Sequence, residues 1–313
     1  VFSQFMLALG ITAPIFIVLV FGMVLRRRRW IDDSFVETGS SLVFRLALPC
    51  VLFLSISQTR FEDAFDPRMI AVGVGGTFLV WLLLEWVAGR WIQPPRDRGV
   101  VIQASFRANM GIIGLAYCVN AYGTEGLAQA SIYLALVTIL YNVLSVVTLN
   151  RWVDGARGLR GTVSGIVKNP LIIAIVSALP FSITQVSLPA VLIQSGAYLA
   201  QLALPLALLC TGASLSFAGL RADSWNAVFA CFAKLFWVPV LIGALGVMAG
   251  LSEQLLGIVI LMASAPTAAA SYVMVRGVGG NATLAANIIV LTTLASAVST
   301  SVLLVLAQLG GFL

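Results

Sequence analysis

Apolar residues in this chain run in blocks of about 20, the number a helix rising ~1.5 Å per residue needs to cross ~30 Å of hydrocarbon. Short clusters of Arg, Asp, Gly and Pro divide the blocks. Their order predicts helices over 5–25, 34–57, 67–91, 98–121, 125–150, 163–180, 188–217, 222–250, 253–276 and 281–310. The first block, Phe5 to Leu25, precedes its arginines and lacks a small-residue cleavage site. It reads as a first span and not as a signal peptide.

The connections orient these helices, because cytoplasmic loops are enriched in Lys and Arg. Arg26, Arg27, Arg28 and Arg29 follow the first span, and Arg90, Arg96 and Arg98 lie between the third and fourth. Arg151, Arg157, Arg160 and Lys168 flank the central loop, Arg221 follows the seventh span and Arg276 the ninth. The opposite side carries only Arg60 and Arg68, accompanied by Glu62, Asp63 and Asp66. Ten spans put the whole first set on one side; a missing or extra helix would scatter it. Both termini are then expected on the non-cytoplasmic side of an inner membrane.

Composition removes other classes. Of 313 residues, 60% are hydrophobic and 10% charged, against roughly a quarter charged in ordinary globular chains. A soluble domain of this length cannot hold that much apolar residue in one core. The net charge of +6 would point to nucleic acid in a soluble protein; here the cytoplasmic loops account for it, and no nucleic-acid partner is expected. Histidine is absent, and with it the commonest general base, metal ligand and proton shuttle. Cys50, Cys118, Cys210 and Cys231 stand singly inside apolar blocks, without metal-site or disulfide spacing. Gly73, Gly75 and Gly76 lie in an apolar span with no following Lys-Ser/Thr, so a phosphate loop and ATP-driven pumping are not expected. Asn281-Ala282-Thr283 fits a glycosylation acceptor, but the topology puts it at the cytoplasmic end of the tenth span. No cofactor, metal site or nucleophile–base pair is evident, which argues against an enzyme.

The two halves echo each other. Leu46-Ala47-Leu48-Pro49 recurs as Leu202-Ala203-Leu204-Pro205, Gly99-Val100-Val101-Ile102 as Gly257-Ile258-Val259-Ile260, and Gly123 with Leu127-Ala128 as Gly280 with Leu284-Ala285. Three matches in order, at nearly one offset, divide the chain into a first five-helix repeat (1–150), a cytoplasmic linker (151–162) and a second repeat (163–313). Five is odd, so the second repeat enters the membrane upside down. Inverted repeats are the usual plan of secondary transporters, since two similar halves permit outward-open and inward-open states from one sequence. A membrane scaffold or ligand sensor that keeps such a fold without translocating is the alternative; it would bind a ligand saturably and move nothing.

In such folds the site forms where helices break near the midplane. Span four offers Arg107-Ala108-Asn109-Met110-Gly111-Ile112-Ile113-Gly114, and the equivalent span nine offers Ser264-Ala265-Pro266-Thr267 with Ser271-Tyr272. Pro49 and Pro205 are expected to kink spans two and seven alongside. A lone Ser or Thr in a membrane helix is usually satisfied by its own helix carbonyl. Asn109 and Asn142 are stronger candidates, because a side-chain amide in lipid needs partners. Charge sharpens the picture: a charged residue at a helix centre costs about 2.5–3.5 kcal/mol on insertion scales. Arg107 and Lys234 fall near the middles of spans four and eight, Arg45 slightly nearer the cytoplasm, and Glu85 just inside the cytoplasmic end of span three. Three bases against one acid predict that an anionic substrate completes the balance. The bland alternative pairs Glu85 with one base and lets the others snorkel.

Several motifs, in order along the chain, resemble the auxin efflux carrier family. They are Arg107-Ala108-Asn109 with Gly111, Gly114 and Tyr122-Gly123; Tyr141-Asn142-Val143-Leu144-Ser145; Lys168-Asn169-Pro170; Ala203-Leu204-Pro205 to Gly212-Ala213-Ser214-Leu215; and Ala265-Pro266-Thr267 with Ser271-Tyr272. The resemblance implies an all-α polytopic membrane protein with ten transmembrane helices in two inverted five-helix repeats, spans four and nine crossing as broken helices. It also implies a transport domain moving against a scaffold in an elevator-like manner, and a homodimer in membrane lipid. Plant members export auxin, an aromatic carboxylate, and bacterial members are associated with small dicarboxylates such as malate or malonate.

The expectation is therefore a secondary carrier of a small organic anion in a bacterial inner membrane. Arg107, Asn109, Gly111, Gly114, Asn142, Pro266, Thr267 and Ser271 would line the substrate site, with Arg107 or Lys234 balancing the anion. Asn109 matches an asparagine that contacts substrate in the plant carriers. Two departures stand out: Ala116 replaces a proline common at the span-four crossover, leaving the break to Gly111 and Gly114, and Ala270 replaces an asparagine common before Ser271 in bacterial members. No buried acidic pair announces whether a proton or sodium is the coupling ion.

Overall fold

The computed structural model describes residues 2–60, 62, 65–153, 170–215 and 224–310. Linker residues beyond Val153, together with Arg157, Arg160, Lys168, Asn169 and Arg221, lie outside the described residues. Every regular element among the described residues is helical; one isolated antiparallel bridge, between Ala108 and Thr267, is the exception.

The first predicted span is α1 (Phe2–Arg27). The second consists of α2 (Asp33–Leu42), a π-turn (Val43–Ala47) and α3 (Leu48–Ser57). The third is α4 (Pro67–Trp91). Spans four and five correspond to α5 (Arg98–Phe106), a break, a π-turn (Met110–Gly114) and α6 (Leu115–Trp152). After them come α7 (Pro170–Thr184), then α8 (Ala190–Gln201) and α9 (Ala203–Ser214) in the seventh predicted span. The eighth is α10 (Ser224–Phe232), a π-turn (Ala233–Trp237) and α11 (Val238–Met248). The ninth is α12 (Glu253–Ser264) and α13 (Ala270–Gly277), and the tenth α14 (Ala282–Leu309).

Local chemistry explains these boundaries. Asp32, Asp66 and Asn281 cap α2, α4 and α14, accepting from the amides of Phe35 (2.8 Å), Met69 (2.8 Å) and Leu284 (3.0 Å). The capping role of Asn281 fits a residue at a helix start, not a glycan acceptor. Two π-turns precede prolines. A helical proline lacks its N–H and its ring clashes with the carbonyl four residues back, which is Arg45 for Pro49 and Leu235 for Pro239. The helix widens there by one residue: the Leu48 amide reaches back to the Val43 carbonyl, and the Val238 amide to that of Ala233. Pro205 acts differently, through the offset between α8 and α9 at Leu202.

Seven helical stretches are long and apolar enough, by length and composition, to cross a membrane; α7 and α12 are apolar but shorter. One of the seven, Met110–Trp152, has 43 residues. As one straight rod it would measure about 65 Å, twice the ~30 Å hydrocarbon. Gly123, with φ 63° and ψ −147°, turns the chain partway along it. Large apolar side chains such as Phe21, Trp86, Val191 and Val298 point outward on these stretches, as a lipid environment requires.

Contacts are densest within two sets of helices, α1, α2, α3, α7, α8 and α9 on one side and α4, α5, α6 and α10 to α14 on the other, and the sets are joined chiefly where α1 packs along α14 and α3 against α6. In the first, α1 crosses α9 backbone to backbone: a Cβ on Gly22 would lie 2.2 Å from the Leu209 carbonyl oxygen, and one on Gly212 2.0 Å from that of Leu19. In the second, a Cβ on Gly73 would lie 2.3 Å from the Tyr133 ring, so Gly73 of α4 makes room for that aromatic side chain. Gly73→Ala is expected to cost about 1–3 kcal/mol, read as a lowered thermal unfolding midpoint that Tyr133→Leu in the same chain partly restores. An unchanged midpoint for the single variant would contradict this packing.

Candidate functional site

The helical backbone stops at Phe106 and again at Ser264. Arg107 is extended (φ −82°, ψ 98°), Asn109 has φ −78° and ψ 59°, and Ala265 is extended (φ −58°, ψ 140°). The two interruptions lie against each other and pair like a minimal two-stranded ribbon. The Asn109 amide donates to the Pro266 carbonyl at 2.7 Å and the Ala268 amide to the Arg107 carbonyl at 3.0 Å. A break in a buried helix frees main-chain groups that must find partners elsewhere, and here each break supplies partners for the other.

Side chains satisfy several of the remaining groups. The Thr267 hydroxyl donates to the Ala104 carbonyl at 2.7 Å, in the last turn of α5, and its amide donates to the Thr292 hydroxyl at 3.2 Å. Ser264 bonds back to the Ile260 carbonyl at 2.7 Å. Lys234, fully buried in its π-turn, donates from Nζ to the Ala263 carbonyl at 2.7 Å. That places an ammonium at the C-terminal end of α12, the negative end of the helix dipole.

Arg107 is the second buried base here, 7% exposed. Two of its nitrogens donate into α6, to Ser145 Oγ at 3.1 Å and to Asn142 Oδ1 at 2.9 Å. Among the described residues no carboxylate pairs with it, and its Nε has no hydrogen-bond partner. The buried Ser271 hydroxyl on α13 is likewise without one. Asn142 Oδ1 is thus occupied by Arg107, which leaves the NH2 of its amide as the group not used in that bond. Asn109 is buried at the start of the π-turn, and Pro266 lies in the ribbon.

The backbone leaves the helix at Arg107–Asn109, ahead of both glycines; Gly111 and Gly114 belong to the π-turn that follows, and Ala116 lies in regular helix beyond it. A Cβ on Gly114 would come within 2.8 Å of Met262 Sδ, so this glycine lets the π-turn approach α12. Gly111 lies nearest Leu171 of α7, across from the other helix group. Ala270 opens α13.

The remaining charges are elsewhere. Glu85 is held by Trp152 Nε1 (2.9 Å), by the Thr148 hydroxyl (3.1 Å) and by Arg151 (3.5 Å). Its partner base is therefore Arg151 at the end of α6, not one of the three bases inside spans. Glu85→Gln would turn a donor toward Trp152 and Arg151, and is expected to cost about 1–3 kcal/mol of stability without changing ligand affinity at the breaks. A weakened affinity would show that Glu85 acts on the site. Arg45 is exposed on the outer face of span two, without an ion pair among the described residues.

Sequence reasoning passed over α14. Thr292, Thr293, Ser296 and Thr300 are buried on it, with Thr292 holding the Thr267 amide and Thr300 within 3.5 Å of the Ser264 carbonyl and the Tyr117 hydroxyl. A run of hydroxyls inside an otherwise apolar span was the available signal. Gln103, fully buried one turn before Arg107, was also missed; its Oε1 has no partner among the described residues.

Two broken helices share main-chain hydrogen bonds beside the buried Arg107, and comparison with known proteins supplies the family of the chain. The family described as "Membrane transport protein" matches residues 8–155 and 159–304. An "Uncharacterized transporter" of Methanothermobacter thermautotrophicus is 23% identical over 305 residues, covering 94% of this chain and 97% of that protein. A "Putative malonate transporter" of Rhizobium meliloti is 24% identical over 318 residues, covering 96% of each. The chain belongs to the membrane transport protein family, and is a multi-pass membrane transporter rather than an enzyme.

Proposed function

We propose that this transporter is a secondary active carrier that moves a small organic anion, a carboxylate, across a bacterial inner membrane by elevator-like alternating access. The observation that carries the reading is Arg107: a buried guanidinium beside a helix break, with no carboxylate partner among the described residues and an unused Nε donor. Buried charges occur paired, and a carboxylate substrate is a partner that can arrive and leave. In this reading Arg107 balances the anion, while Asn142 and Asn109 supply amides and Ser271 a hydroxyl. The second halves of both broken helices begin at the breaks, bringing the positive ends of their dipoles to the same place. Lys234 contributes long-range positive charge while anchored to α12.

The proposed architecture is ten spans in two inverted repeats, with spans four and nine as the crossing pair. The group containing the breaks moves against the group containing α1, α3 and α9. Both termini lie on the non-cytoplasmic side, and the assembly is a homodimer. The name of the R. meliloti relative makes malonate the first ligand to try. Asn109→Ala is expected to reduce carboxylate binding to background, and unchanged affinity would remove Asn109 from the site. Saturable binding without flux in liposomes would instead favour a sensor. Imposed sodium and proton gradients in the same vesicles identify the coupling ion.

A further inference from the structure

On the face of α1 turned away from the Gly22 crossing, Phe16, Val20 and Val24 line a groove of about 550 Å³, bounded on its other side by Val298 and Val302 of α14. Apart from Phe16 these side chains are exposed, so the groove opens on the surface that meets lipid. The two polar side chains in its lining, Thr12 and Ser301, bond to each other at 2.9 Å. Water there would find almost no partner, and hydrocarbon fits instead. Thr12 to Val24 is about 18 Å along the helix axis, a little over half of a ~30 Å core. The groove therefore reaches from the membrane surface to just past the middle of the bilayer.

At the surface end the chemistry changes. At 3.6 residues per turn, Arg27 and Arg28 continue the stripe of Phe16, Val20 and Val24, about 5–6 Å beyond it. The Arg28 amide still bonds to the Val24 carbonyl at 2.9 Å, which keeps this register. Both arginines are exposed, and among the described residues neither forms an ion pair. Nearby acids are engaged elsewhere: Asp33 by Arg26, and Asp32 in capping α2. Trp30 follows, 79% exposed, a residue type that settles at headgroup level.

We propose that this groove and its two arginines bind one anionic glycerophospholipid. An acyl chain lies in the seam where α1 packs along α14, and the phosphate rests on Arg27 and Arg28 at the membrane surface. Basic residues are common at cytoplasmic helix ends, and exposed Arg90 and Arg96 are of that kind. Arg27 and Arg28 differ in having an apolar groove that ends beneath them on the same helix face. A net-anionic headgroup is favoured because a phosphatidylcholine would bring its own cation beside the two guanidinium groups. The site rests on the membrane-spanning character of the chain; only its assignment to the cytoplasmic leaflet rests on the orientation proposed above.

Native mass spectrometry of the detergent-purified full chain, with phosphatidylglycerol or phosphatidylcholine of identical acyl chains added, tests the proposal. Wild type is expected to retain one phosphatidylglycerol per chain in preference to phosphatidylcholine. Arg27→Gln with Arg28→Gln should weaken that retention about 30-fold, at about 1 kcal/mol for each arginine. Arg90→Gln with Arg96→Gln makes the same charge change away from the groove and should leave retention unaltered. Val20→Trp should lower retention of both lipids by filling the groove with the arginines in place. Glycerol 3-phosphate, an anion without acyl chains, should not displace the lipid. Carboxylate affinity at the breaks should not follow these changes, which separates failure of this site from failure of the transport reading. Equal retention of the two lipids by wild type, equal effects of the two arginine pairs, or displacement by glycerol 3-phosphate would overturn the proposal. So would a change of oligomeric state in Val20→Trp without loss of bound lipid, which would assign the groove to a second copy of the chain.

Discussion

Arg107→Gln protein is expected to remain folded and to lose carboxylate binding by roughly 100-fold, since a charge-assisted hydrogen bond of up to about 3 kcal/mol is removed. Glutamine can still donate to Asn142 Oδ1, so the tie to α6 is partly kept while the charge is gone. Arg107→Lys separates charge from geometry. A lysine keeps the positive charge but lacks the planar fork that reaches Ser145 and Asn142 together in the native site. Its affinity should fall between wild type and the glutamine variant. Full affinity in Arg107→Gln would mean that the anion is balanced elsewhere, with Lys234 the next base to test. Isothermal titration with a responding carboxylate reads all three proteins on one scale.

The second large effect is structural. Gly212→Leu is expected to prevent α1 and α9 from closing, because its Cβ alone would lie 2.0 Å from the Leu19 carbonyl oxygen. Main chain cannot move aside as a side chain tip can, so the helices must separate. Van der Waals packing is the main attraction between helices in lipid, and separation forfeits it along the crossing. Even Gly212→Ala should lower the unfolding midpoint, and Gly212→Leu should give little monodisperse protein on size-exclusion chromatography. Gly75→Leu is the control, since a Cβ there meets nothing within 4 Å. Equal behaviour of the Gly212 and Gly75 variants would contradict the crossing.

The predicted spans and the observed helices agree closely where sequence period and chemistry are simple. The blocks ending at Arg27, Ser57 and Trp91 begin or end at charged residues and capping aspartates, which hydropathy locates well. The breaks were legible from clustered Gly, Pro and Asn in apolar surroundings. Their mutual hydrogen bonds were not, because Asn109 and Pro266 are 157 positions apart and nothing local says they meet. Gly111 and Gly114 looked like the cause of the span-four break; the chain instead leaves the helix at Arg107, where Ala268 takes over the carbonyl. The charge balance was half legible. Three bases and one acid were countable, but the pairing of Glu85 with Trp152, Thr148 and Arg151 depends on how α4 lies along α6. The α1–α9 crossing was invisible for a similar reason: Gly22 and Gly212 are ordinary glycines until a neighbouring helix is placed on them.

Counterflow in proteoliposomes is the measurement to make. Vesicles loaded with an unlabelled carboxylate that stabilises the purified protein are diluted into a trace of the labelled compound, with wild type and Arg107→Gln run side by side. Saturable accumulation of label by wild type, competed by other carboxylates and not by neutral analogues, and absent in Arg107→Gln, is the predicted result. Accumulation that survives loss of the Arg107 charge, or binding by wild type with no accumulation, would contradict a carrier that moves anions through the paired helix breaks.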